Sequence, residues 1–248
     1  MTVNDVIRAD KLAFYLLKSV NKAIRQYGML HPGDRVLVAV SGGKDSLTAL
    51  DLLYRRQRVA ADRITLLVAH IRSDAYCGRA VSEDWLADYC QERMLPLHQE
   101  YIEIARELCE TDLSPCFRCA WQRRKALFNL ADRLNCNKLA FGHHADDIAE
   151  TVLMNLFYNA SLRRMEPRAD LFNGRLTVIR PLALTEERDI VPFVQAAGFP
   201  IQGEPCPYGL NSRRTLVRRI LREVEQECHQ VKRHIYRAIE NNRGGGDG

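Results

Sequence analysis

The sequence predicts an α/β fold: a doubly wound parallel sheet of about five strands with helices on both faces. Three observations carry this. Apolar runs of strand length, such as Val36–Val40 and Ile64–Ile71, are nearly continuous, as strands buried on both faces require. Segments of helical period separate them, which suits crossovers between parallel strands. Two of the strands also run into turns of glycine and polar residues that open a helix.

Taken in order, Val6, Leu12, Leu16, Val20 and Ile24 mark one face of a helix over residues 5–26. His31-Pro32-Gly33-Asp34 is a turn signal, and residues 35–40 form the first strand. Residues 47–56 read as a helix and 64–71 as a second buried strand. Ser82 is placed as the N-cap of the next helix. Residues 97–104 supply a third strand, 117–134 a helix, 138–142 a fourth strand and 146–157 another helix. Residues 176–180 make the fifth strand, and Gly198 and Pro200 stop a helix over 186–197. A Pro- and Gly-rich turn at 204–210 precedes one amphipathic helix to about Ile239, and the tail 243–248 is expected to be disordered. This divides the chain into a helical segment over 1–30, a main α/β domain over 31–202, and a cysteine turn with a basic helix over 203–242.

Apolar residues make up 46% and charged residues 27% of the 248, which excludes a disordered, collagen-like or disulfide-framework chain. The formal net charge of +5 points to a polyanionic partner only where the charge clusters. No apolar run approaches the roughly 20 residues of a membrane span. The first ten residues carry early acids and no apolar core, so they do not read as a signal peptide; a cytoplasmic protein without a membrane partner is expected. In a reducing compartment, closely spaced cysteines point to metal or redox chemistry. Cys90, Cys109, Cys136 and Cys228 sit singly in apolar-periodic segments and read as small core residues, while Cys77 in a loop-like stretch is unassigned. Cys116, Cys119 and Cys206 remain.

Ser41-Gly42-Gly43-Lys44-Asp45-Ser46 follows the first buried strand and leads into a helix. Glycines let the backbone turn tightly, and the N–H groups of such a turn converge on an anion. Ser41 and Ser46 add hydroxyl donors, Lys44 neutralises phosphate charge, and Asp45 suits a magnesium ion bridging phosphates. The spacing excludes a Walker A loop. The hexapeptide resembles instead the PP-loop of the ATP pyrophosphatase superfamily, Ser-Gly-Gly-x-Asp-Ser. That resemblance implies cleavage of ATP between its α- and β-phosphates, adenylation of a carbonyl oxygen and release of pyrophosphate.

A second strand-to-helix junction, Phe141-Gly142-His143-His144-Ala145-Asp146-Asp147, can share the crevice outside the strand ends. Asp146 and Asp147 fall at a helix N-terminus, where the dipole stabilises carboxylates that can also serve Mg²⁺. The stretch resembles the Gly-His-His-x-Asp-Asp-x-x-x-Thr segment shared by lysidine synthetases and tRNA 2-thiolation enzymes. The expected nucleotide site is the phosphate loop with His70, Gly142, His143 and Asp147. Lys44, Asp45 and Asp147 are the expected catalytic residues.

Cys116 and Cys119 stand one helical turn apart at a helix start and can clasp one metal centre. Cys206 lies between Pro205 and Pro207. Three thiolates without an evident fourth suit a 4Fe-4S cluster with one open iron; zinc and a redox-active dithiol stay open on this chemistry alone. The phosphate loop, the Cys-x-x-Cys, the His-His-Asp-Asp helix, Ile179-Arg180-Pro181-Leu182 and Cys206 in sequence resemble the TtcA family of tRNA 2-thiocytidine synthetases, from about residue 10 to 225. The resemblance implies activation of C2 of an anticodon-loop cytidine by ATP and Mg²⁺, assisted by a 4Fe-4S cluster on Cys116, Cys119 and Cys206. It also implies a sulfur donor such as a cysteine desulfurase system, and a homodimer. The family often has a second Cys-x-x-Cys around the late cysteine; here Gly209 takes the matching place.

Nine Lys or Arg against five Asp or Glu lie between Asn211 and Gly248. Arg213, Arg214 and Arg218, with Arg123 and Arg124 after the first cysteine pair, are the expected RNA phosphate contacts. Trp121 and Tyr208 are candidate stacking partners for unpaired bases. Two functions compete with thiolation. A lysidine-synthetase-like ligase would not need three cysteines, and a zinc-stabilised RNA-binding protein would need no catalysis.

Overall fold

The computed structural model describes residues 2–75, 78–110, 114–204, 206–209 and 212–244. Its apolar runs form a sheet of β1 (Arg35–Ala39), β2 (Thr65–Ser73), β3 (Leu97–Ile102), β4 (Lys138–Ala140), β5 (Arg168–Leu171) and β6 (Leu176–Ile179), ordered β3-β2-β1-β4-β6-β5. β1 pairs in parallel with β2 and β4, β2 with β3, and β4 with β6, as the sequence predicts. The sixth strand, β5, is an antiparallel addition at the edge. Its four residues are too few to show a period, and it turns into β6 through Phe172, Asn173 and Gly174, all at positive φ.

The helices are α1 (Val3–Gln26), α2 (Lys44–Gln57), α3 (Glu83–Glu92), α4 (Ala105–Glu110), α5 (Pro115–Arg133), α6 (Ala145–Asn159), α7 (Glu187–Ala196), α8 (Arg213–Glu227) and α9 (Val231–Gly244). Alternation along β1 splits the core between the two sheet faces. Val36 and Val38 pack with Leu16 and Val20 of α1, Leu50 of α2 and Phe193 of α7. Leu37 and Ala39 pack with Leu127 and Leu130 of α5. Ser82 caps α3 as expected, its Oγ accepting the Trp85 N–H.

Several sequence expectations change. α2 begins at Lys44, so Lys44, Asp45 and Ser46 form its first turn rather than a loop ahead of it. The short α4 shows no readable period. The single last helix breaks at Cys228, whose non-helical backbone ends α8 before α9 begins. Cys228 is half-buried beside His234 Nδ1, 3.7 Å from its sulfur, and is not a core residue. Cys90 and Cys136 are buried as expected, and burial pushes the Cys90 thiol up to about 11. Cys77, the Cys109 side chain and tail residues 245–248 lie outside what is described. No helix among the described residues is long and apolar enough to cross a membrane.

Candidate active site

The chain lays β2 and β3 on one side of β1, then returns to place β4 on the other. At such a switch point a crevice opens outside the carboxyl ends of the strands. The phosphate loop leaves β1 and the His-His-Asp-Asp segment leaves β4, so both enter this crevice. They touch through backbone. A Cβ built on Gly142 would lie 2.7 Å from the Asp45 carbonyl oxygen and 2.8 Å from Ser46 Cα. Gly42 has φ +84°, and a Cβ there would meet Ala80 Cβ at 2.9 Å. Gly142→Ala is therefore expected to push α6 from the loop, costing about 1–3 kcal/mol of stability. Thermal denaturation with and without nucleotide checks this; an unchanged melting temperature and affinity would contradict the close approach.

Gly43 caps α2 without a side-chain hydrogen bond, so the first N–H groups of α2 remain available to an anion. Ser41 and Ser46 knit the loop beneath them. The Ser41 and Ser46 Oγ atoms are 3.1 Å apart, Ser46 Oγ donates to the Gly43 carbonyl at 2.9 Å, and the Gly43 N–H donates to Ser41 Oγ at 3.3 Å. Lys44 Nζ stands 2.8 Å from both Asp45 and Glu187. Burial disfavours its charge, but these two carboxylates hold its pKa above the ordinary lysine value.

Around α6 the charges are tightly arranged. The buried His144 imidazole lies 3.7 Å from Asp45, 3.4 Å from Asp146 and 3.6 Å from Asp147. Burial works against its cation, yet the carboxylates raise its pKa above the ordinary imidazole value. Asp147 accepts the His144 backbone N–H at 3.1 Å. Burial opposes ionisation of Asp147 too, but the His144 cation, the His144 backbone N–H and Arg214 keep its carboxyl below the usual range. Asp146 is turned away from the crevice: it accepts the Glu187 N–H at 2.8 Å and pairs with Lys232 of α9 at 2.6 Å. His143 behaves oppositely to His144, since burial brings its pKa down to about 4. Its neutral Nδ1 accepts Arg180 Nε at 3.3 Å.

A cavity of about 410 Å³ lies over this junction, lined by Ser41, Asp45, Ser46, Gly142, His143 and Asp147 together with Arg123, Arg124 and Arg214. It falls within the range of small-ligand sites. The structure thus brings together most residues of the sequence-predicted nucleotide site. His70 stands beneath it: its Nδ1–H donates to the Val40 carbonyl at 2.7 Å, supporting the start of the loop. The arginines expected to meet RNA divide differently. Arg123 is tied to the end of β2, through the Ile71 carbonyl at 2.6 Å and Ser73 Oγ at 2.8 Å. Arg214 pairs with Asp147 at 3.3 Å, and Arg218 grips the buried Glu150 at 2.6 and 3.2 Å. Arg213 is exposed and covers the Tyr158 ring. Glu187, Glu150 and Arg180 were not in the predicted set; only Arg180 carried a signal, in its Ile-Arg-Pro-Leu segment.

The three thiols converge beside the cavity. Cys116 and Cys119 occupy the first turn of α5, and Cys116 Sγ donates to the Tyr208 carbonyl at 3.3 Å, placing the Pro207–Gly209 turn against α5. Burial first, then Cys206 and Cys119, push the Cys116 thiol above its ordinary value, as neighbouring thiols should. A Cβ on Gly78 would lie 3.2 Å from the Cys206 nitrogen, so the loop after β2 backs the third cysteine. Among the described residues, no three His, Cys, Asp or Glu side chains stand as a group that could hold one metal ion. In donor chemistry, three thiols from two segments suit the thiolate ligation of an iron–sulfur cluster.

Fold and site define a PP-loop enzyme, and the match to the PP-loop domain family covers residues 16–225. Over 238 residues the chain is 39% identical to a tRNA-cytidine(32) 2-sulfurtransferase of Geobacter sulfurreducens, spanning 94% of this chain and 91% of that one. It is 33% identical over 245 residues to the protein of that name from Pseudomonas fluorescens, with 97% and 87% covered. This chain belongs to the tRNA-cytidine(32) 2-sulfurtransferase family of PP-loop enzymes. Its fold is also that of the U34-tRNA thiolase NcsA from Methanococcus maripaludis, solved with its 4Fe-4S cluster: TM-score 0.76 at 22% identity, covering 97% of this chain and 81% of that one.

Proposed function

We propose that this protein is an ATP-dependent tRNA thiolase that replaces the C2 oxygen of a cytidine by sulfur, at position 32 as in its relatives. One juxtaposition carries the reading. The helix that bears Cys116 and Cys119 sends Arg123 and Arg124 into the nucleotide cavity one turn later, about 6 Å along its axis. The segment after Cys206 sends in Arg214. A sulfur centre and an activated base would therefore share walls.

In this reading the triphosphate rests on the first turn of α2, with Lys44 balancing its charge. Asp45 and Asp147 are the carboxylates that would hold Mg²⁺, whose charge would offset that of the phosphates. The C2 oxygen attacks the α-phosphorus as the bond to the β-phosphate breaks and pyrophosphate leaves. Sulfide from the donor then adds at C2, and AMP departs with the original oxygen; no net oxidation occurs. When bound, the cluster supplies an iron with a coordination position left for a sulfur ligand. The protein's part is orientation: His144 holds Asp45 and Asp147 towards one another. The test is anaerobic purification, iron and zinc analysis, and mass spectrometry of nucleosides after incubation with tRNA, ATP and sulfide. Iron with 2-thiocytidine is the expected result. Stoichiometric zinc without product would favour the RNA-binding alternative.

For the RNA, the exposed Arg213 and Arg219 of α8 are the proposed phosphate contacts, since Arg214 and Arg218 face carboxylates. Replacing both exposed arginines by alanine should weaken tRNA binding and flatten the log–log salt slope by about 0.7–0.9 per lost contact. Filter binding across a salt series measures it. An unchanged slope places the RNA elsewhere.

A further inference from the structure

We infer that Arg214 is a nucleotide-phosphate contact, kept in place by Asp147 and Glu150 until nucleotide arrives, and that its transfer seats the Cys206 turn. This rests on the nucleotide-binding reading above. The two arginines of α8 that face α6 are held very unequally. Arg218 makes a two-pronged grip on Glu150, at 2.6 and 3.2 Å, which matches the fork of a guanidinium to a carboxylate. Arg214 Nη1 reaches Asp147 only at 3.3 Å and Glu150 at 3.6 Å, beyond the roughly 2.7–2.9 Å of a good charge-assisted bond. Arg218 already serves Glu150, so Arg214 keeps donor capacity, and it lines the cavity beside the phosphate loop. A phosphate there offers it shorter bonds than Asp147 does. Asp147 is itself proposed to turn to Mg²⁺ when nucleotide binds, which releases Arg214 at the same moment.

The consequence for sulfur chemistry follows from what precedes α8. Cys206 lies a few residues ahead of the helix start, and its turn leans on Cys116 through the Tyr208 carbonyl. The same segment is linked back to the phosphate loop. Gln202 bridges Ala80, and the Val81 N–H donates to the Gly42 carbonyl at 3.0 Å. Drawing Arg214 to a phosphate therefore tightens α8 and this turn on the cavity from both ends, so the third thiolate is best placed when nucleotide is bound.

The experiment uses the full chain, purified anaerobically, titrated calorimetrically with α,β-methylene-ATP, which cannot be split between its α- and β-phosphates. Arg214→Ala should weaken binding about tenfold or more, and Arg214→Lys should recover part of that loss. Arg218→Ala loosens α8 without reaching the cavity and should cost clearly less affinity than Arg214→Ala. Hydrogen exchange over 206–209 and 213–218 should slow with the analogue in the wild type and not in Arg214→Ala. Wild-type affinity in Arg214→Ala, or an equal loss in Arg218→Ala, would reduce Arg214 to a strut between α6 and α8. Exchange that ignores the analogue would overturn the coupling. A wild-type protein that does not bind the analogue at all overturns the nucleotide reading itself.

Discussion

Cys206→Ala is expected to lose most of its iron and all thiolation while Cys116 and Cys119 remain in place. The latter two share one helical turn of α5, whereas Cys206 comes from a turn held against that helix by the Cys116–Tyr208 contact and backed by Gly78 of the loop after β2. A cluster on these three thiolates would therefore bridge two parts of the fold, and two thiolates from a single turn would hold a cubane poorly. Nucleotide should still bind to Cys206→Ala, since the phosphate loop leaves a different strand. The controls are Cys90→Ala and Cys136→Ala, buried thiols of the two hydrophobic clusters that should cost only packing, on the order of 1 kcal/mol. Iron and sulfide analysis of each variant, prepared without oxygen, decides the matter beside a thiolation assay. Full iron and activity in Cys206→Ala would sink the three-ligand arrangement.

Lys44→Ala and Asp45→Ala should each lower ATP-dependent product formation by roughly 10²–10³-fold or more, the loss typical of a removed charge stabiliser. Lys44 is charged at any working pH, because Asp45 and Glu187 raise its pKa against the effect of burial. It is poised to exchange those partners for phosphate oxygens. Both side chains are about one-third exposed, so breaking their pair should change stability by no more than about 1 kcal/mol. Pyrophosphate release measured with tRNA present, alongside circular dichroism and iron content, separates lost chemistry from lost fold. Unimpaired turnover in either variant would remove these residues from the phosphate site.

Much of the architecture is legible in the chain because parallel strands buried on both faces leave an unmistakable apolar signature. The run at Val36–Val40 and the segment at 138–142 therefore locate β1 and β4, and with them the two turns that build the crevice. β5 was missed because an edge strand of four residues has no period to read and is held by its neighbour β6. The break between α8 and α9 was missed for a similar reason: both halves are amphipathic, and Cys228 ends the first through its backbone rather than through a glycine or proline. The same even spacing of apolar residues made Cys228 look like core.

The phosphate loop and the Cys-x-x-Cys pair were determined by the sequence itself, because each needs only neighbouring residues: a glycine turn on a helix start, or two thiols one turn apart. What only the tertiary structure decided is which charges meet. From sequence, Arg213, Arg214 and Arg218 are one basic cluster expected to meet RNA phosphates. Folded, Arg213 covers an exposed ring, Arg218 is locked on Glu150, and Arg214 looks into the nucleotide cavity beside Asp147, 67 positions away in the chain. Gly142 was legible as part of its Gly-His-His segment, but its close approach to the Asp45 carbonyl was not. For the arginines the physical reason is one of charge. Helical period tells which side of a helix is apolar, but a charged side chain is placed by whichever opposite charge the packing of distant elements brings within reach.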